Sequence, residues 1–86
     1  MTDIKQQVIG NVCYTDLVYK RINKKLSTDL SKRQIELYIE GILINTDESF
    51  YEKTGKNYYV SNIEYNIRIT INSNTYRVIT VNRIEK

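Results

Sequence analysis

Along this 86-residue chain the spacing of apolar positions changes from about every third or fourth residue to every second, so a helical half precedes a sheet half. Ile4 and Val8 lie four apart on a short helix, with Thr2 or Asp3 placed to cap it and Gly10 and Asn11 placed to close it. Thr15 then sits at an N-cap position and Asp16 meets the positive end of the next helix. Tyr14 and Tyr19 have the spacing of a hydrophobic staple across that start. Val18, Ile22 and Leu26 repeat every four residues while Lys20, Arg21, Lys24 and Lys25 take the remaining surface, which predicts a helix over residues 16–26. Ser31 with Gln34 makes a capping box and Leu30 with Ile35 a second staple. Ile35, Tyr38, Ile39, Ile42 and Leu43 complete a core-facing series over residues 32–44. Gly41 costs about 1 kcal/mol relative to alanine inside that helix and reads as a close-packing position against a neighbour rather than as a functional hinge.

After Asn45-Thr46-Asp47 the period becomes two: Ile63, Tyr65, Ile67, Ile69 and Ile71 alternate with Glu64, Asn66, Arg68, Thr70 and Asn72, as in a half-buried strand. Residues 75–84 are rich in β-branched and aromatic side chains, and Asn72-Ser73-Asn74 supplies a turn between the two runs. Val78, Ile79 and Val81 break the alternation, so a bulge is expected there. Shorter strands are expected over residues 50–53 and 56–61, joined at Thr54-Gly55. The expected fold is α+β, with two or three N-terminal helices packed on a C-terminal four-stranded antiparallel meander. It forms one domain over residues 1–86, the helical part covering about 2–45 and the sheet part about 49–85.

Composition narrows the chemistry. A hydrophobic fraction of 41% with eight tyrosines exceeds what a disordered chain carries. No run of about 18 apolar residues predicts a membrane span. The polar start Met1-Thr2-Asp3-Ile4-Lys5 is unlike a signal peptide, and Cys13 alone cannot form an intrachain disulfide. A cytoplasmic protein without a membrane partner is expected. With no histidine and one cysteine, neither the usual zinc sets nor Ser-His-Asp and Cys-His arrangements can be assembled. Gly55-Lys56 lacks P-loop spacing, and Glu36 with Glu40 reads as an ordinary pair on an exposed helix face. No metal, cofactor or catalytic residue is therefore assigned.

Charge then points to a surface. Residues 1–48 carry seven Lys and Arg against seven Asp and Glu, whereas residues 49–86 carry six against three, so the whole excess of +3 falls in the sheet half. Arg68, Thr70 and Asn72 share one strand face, Arg77 and Arg83 come from the next strand, and Lys56, Asn57 and Tyr58 stand near the first turn. Guanidinium forks and hydroxyl or amide donors match phosphate oxygens, and tyrosines stack on unpaired bases. The plainer reading of the same residues is a solvated antiparallel face. Lys20, Arg21, Lys24 and Lys25 form a secondary basic patch with the same two readings, phosphate contact or a charged outer face.

The stretches Gly55-Lys56-Asn57-Tyr58-Tyr59-Val60, Ile67-Arg68-Ile69-Thr70-Ile71-Asn72 and Val78-Ile79-Thr80, with Val12-Cys13-Tyr14-Thr15, resemble a small uncharacterised bacterial family classed as a domain of unknown function. The resemblance covers most of the chain and implies a bacterial or phage origin and these fold boundaries, without an activity to transfer. The expected function is a small non-enzymatic binding protein that presents the sheet face to a protein or RNA, for example as an inhibitor of a nucleic-acid-processing enzyme. The alternative is a metal-independent ribonuclease-type toxin acting through that face.

Overall fold

In a computed structural model that describes residues 4–84, three helices precede a four-stranded antiparallel sheet: α1 (Ile4–Asn11), α2 (Asp16–Leu26), α3 (Lys32–Asn45), a 3-10 turn (Glu48–Phe50), then β1 (Tyr51–Thr54), β2 (Asn57–Asn62), β3 (Ile67–Asn72) and β4 (Val78–Arg83). The strands run in meander order β1-β2-β3-β4. Residues 2 and 3, expected to cap α1, lie outside the described residues.

One apolar cluster joins the two halves: Val8, Val18, Ile22, Leu26, Ile35, Ile39, Ile42 and Leu43 from the helices meet Tyr51, Tyr58, Val60, Ile67, Ile69, Ile71, Val78 and Val81 from the sheet. Each fully buried isoleucine contributes about 2 kcal/mol through apolar transfer, which makes this face of the sheet the organising surface. A buried polar tie fastens the end of α3 to the strands. Asn62 Nδ2 donates to Thr46 Oγ1 at 2.8 Å, Thr46 Oγ1 donates to the Ile42 carbonyl at 2.6 Å, and the Tyr51 hydroxyl donates to the Leu43 carbonyl at 2.6 Å. All three polar side chains are thereby satisfied where burial would otherwise penalise them.

Several local expectations need correction. Ile63 and Tyr65 are exposed and precede β3, because Asn62 Oδ1 accepts the Tyr65 N–H at 2.9 Å and Asn66 adopts φ 55°, closing a turn where alternation alone predicts strand. Phe50 lies in the 3-10 turn capped by Asp47, whose Oδ2 accepts the Ser49 N–H at 3.0 Å. Gly41 has nothing within 4 Å of the place a Cβ would occupy, so it is not a close-packing position within this chain. The bulge does occur where expected: β3 and β4 pair Thr70 with Thr80 and Ile71 with Val78, leaving Ile79 as the extra residue.

Candidate functional site

Helix α2 is positioned by its inner face and by both of its ends. Val18, Ile22 and Leu26 are buried, and the helix lies along β4. Thr15 holds the extended N-cap conformation without a side-chain cap bond, so the start is fixed instead by the stacked rings of Tyr14 and Tyr19, 5.7 Å apart, and by the first-turn Asp16. At the other end Ser27 takes φ 56°, and Asn23 clasps the following loop, donating to the Leu30 carbonyl at 3.0 Å and accepting its N–H at 2.9 Å.

This orientation turns Leu17, Lys20, Arg21, Lys24 and Lys25 outward, the i, i+3, i+4, i+7, i+8 complement of the buried stripe. Arg21 Nη1 donates to the Ile79 carbonyl at 3.2 Å, mooring the row to β4. Arg77 adjoins the row, because the α1–α2 connection bridges to it: Cys13 N–H donates to the Tyr76 carbonyl and Val78 N–H to the Cys13 carbonyl, both at 2.9 Å. Arg77 and Arg21 line one groove of about 210 Å³ with Leu17, Val18, Val78 and Ile79. Arg83 closes the far end, its Nη2 donating at 3.0 Å to the Leu26 carbonyl, where a cation also meets the negative end of the helix. Among the described residues, the side chains of Lys20, Lys24, Lys25 and Arg77 have no hydrogen-bond or ion-pair partner. Six of the 13 Lys and Arg stand on this flank, which leaves seven against 10 Asp and Glu elsewhere, a net charge of −3.

The sequence-derived site residues therefore divide. Asn57, Arg68, Thr70 and Asn72 do share the outer sheet face: Asn57 pairs with Asn72, Tyr59 with Thr70 and Ser61 with Arg68. Tyr58 does not, because it pairs with Ile71 on the helix-facing side and is only 6% exposed. Strand parity likewise sends Arg83 to the helix side, opposite Ile67. Lys56 is exposed in the β1–β2 turn. Across the four strands, the outer face carries just Glu52 and Arg68 as charged residues. Arg68 Nε is already engaged with Ser61 Oγ at 3.2 Å, and Thr70 is buried beside Tyr59.

Behind α2 lies a cluster that periodicity alone did not reveal. Glu36 and Glu40 are half-buried rather than on a wet face, and the Tyr19 hydroxyl donates to Glu36 Oε2 at 2.6 Å. Burial, then this hydrogen bond, pushes the Tyr19 phenol up to about 12. Tyr14 is raised further, by burial first and then by Glu40 and Glu36, and its hydroxyl is buried without a hydrogen-bond partner. Both phenols stay protonated at neutral pH, so neither serves as a base, and Tyr19 acts as a donor to Glu36. Lys32 completes the cluster, 3.4 Å from Asp16 and 5.4 Å above the Tyr19 ring. The Tyr14 and Tyr19 staple was the signal for this cluster; the carboxylates joined it only through the crossing of α2 and α3.

Among the described residues no group of three or more His, Cys, Asp or Glu is arranged to hold a metal, and no helix is long and apolar enough to cross a membrane. Residues 6–82 match the model of a family described as a protein of unknown function (DUF3781). No curated protein and no solved structure matches the chain.

Proposed function

The chain belongs to this DUF3781 family, and as membership brings no activity with it, we propose from the surface itself that the protein is a non-enzymatic, sequence-tolerant RNA-binding protein. Its binding element is the α2–β4 flank. The observation that carries this reading is the unpartnered row Lys20, Lys24 and Lys25 with Arg21 and Arg77, uninterrupted by any carboxylate. Such a row suits a repeating anion: flexible lysine arms act as point charges on successive phosphates, and their binding gains from release of condensed counterions. A protein partner would call for aromatic anchors, and the flank offers only Leu17 as a large exposed apolar side chain.

Labelled single-stranded RNA, with EDTA present, tests this through retention across a salt series. Four or five phosphate contacts predict a slope of log affinity on log salt of about −3, at about −0.7 per contact. Failure to retain RNA at low salt would overturn the reading and leave a protein partner, such as an enzyme that this chain inhibits. Shortened RNA fragments would instead favour the ribonuclease-type alternative.

A further inference from the structure

The outward face of α3 is built for something the single chain does not supply. Leu37 and Ile44, seven residues apart, are 56% and 57% exposed, and Gly41 between them faces open space. Gly41 costs about 1 kcal/mol of helix propensity, and no neighbour within the chain needs its missing side chain. The end charges of α3 also oppose its own dipole. Lys32 and Arg33 stand in the first turn, which contains no acid, and Asp47 and Glu48 follow a last turn that contains no base of its own, although the Ile44 carbonyl there accepts from Lys5 Nζ of α1 at 2.9 Å.

We propose that this stripe is a self-association surface that holds two copies of the chain with their α3 helices antiparallel. A two-fold axis passing between Glu40 and Gly41 sets Leu37 opposite Ile44 of the second copy, and by symmetry the reverse. The same axis brings Arg33 toward the end that carries Asp47 and Glu48, so a cation that is unfavourable at the start of its own helix meets opposite charge and the opposite dipole of the second copy. Gly41 lies beside the axis, where the lack of a side chain lets the two helices approach closely. The side chains of Arg33 and Glu48 have no partner among the described residues, and both are exposed. Neither group belongs to the α2–β4 flank, so this surface stands or falls independently of RNA binding.

Sedimentation of the RNA-free protein over a concentration series tests it, with circular dichroism reporting that each variant is folded. The wild-type chain is expected to pass from monomer to dimer below about 1 mM. Gly41→Leu, whose Cβ would meet nothing within 4 Å in the monomer, should raise the dimer dissociation constant at least about tenfold. Arg33→Glu should weaken the dimer about fivefold, and adding Glu48→Arg to the same chain should restore it. A protein that stays monomeric throughout overturns the proposal. So does a dimer indifferent to Gly41→Leu, or a loss in Arg33→Glu that Glu48→Arg fails to repair.

Discussion

The α2–β4 flank and the outer face of the sheet are both exposed surfaces rich in cationic or hydrogen-bonding side chains, yet their chemistry differs because of what surrounds each group. On the sheet, register gives most polar side chains a neighbour: Arg68 leans on Ser61, Asn57 Nδ2 reaches the Tyr59 hydroxyl at 3.4 Å, and Glu52 balances the one cation. On α2, a helical repeat places lysines next to lysines, and the only acid of the helix, Asp16, sits at its far start, paired with Lys32. A residue type becomes an anion site when nothing local already satisfies it and no opposite charge cancels its field. By that standard the flank is open and the sheet face is largely self-satisfied.

The contrast breaks most visibly at Tyr58. As a core residue opposite Ile71, it should cost about 3 kcal/mol when replaced by alanine, measured by chemical denaturation. Its neighbour Tyr59, on the outer face, should cost less than about 1.5 kcal/mol in the same assay. Equal losses would place both tyrosines on one kind of surface. A smaller effect sharpens the flank itself. Arg83→Ala removes the hydrogen bond to the Leu26 carbonyl and a cation from the helix C-terminus, so stability should fall by about 1 kcal/mol. RNA retention should fall less than on loss of one of the unpartnered lysines, because that guanidinium lies at the end of the row and already donates to the Leu26 carbonyl.

The smallest effect concerns alkaline pH. The Tyr19 phenol is raised to about 12 in the folded chain, whereas an unfolded tyrosine ionises near about 10. Between those values the unfolded state loses its proton first, so the contribution is whole below about pH 10 and declines as pH rises toward about 12. Denaturation midpoints at about pH 9 and about pH 11 should differ less in Tyr19→Phe than in the wild-type chain. An identical decline in both would remove Tyr19 from the account.

Much of this architecture was legible in the sequence because local signals agreed. The four-residue repeat of Val18, Ile22 and Leu26, together with Asp16 in the first turn, marked the observed bounds of α2, and the Ser31–Gln34 capping box is formed in both directions. The helices-then-meander order and the bulge near Ile79 followed from the change of period and its interruption. Alternation misled at Ile63 and Tyr65, where side-chain bonding by Asn62 and the left-handed Asn66 make a turn inside an apparently continuous strand. The candidate site was half legible. Sequence marks which residues are cationic, but the pairing of Tyr58 with Ile71 and the bridge from Cys13 to Arg77 are tertiary facts that regroup them. Arg77 and Arg83 accordingly stand with the α2 lysines, although the strand pattern had grouped them with Arg68.

The most direct measurement compares charge reversal on the two surfaces, using the affinity for single-stranded RNA at low salt. Lys20→Glu with Lys24→Glu should lower affinity at least about tenfold and flatten the salt dependence, while Arg68→Glu should change it less than about threefold. The opposite ranking, or equal losses from both surfaces, would contradict binding through the α2–β4 flank.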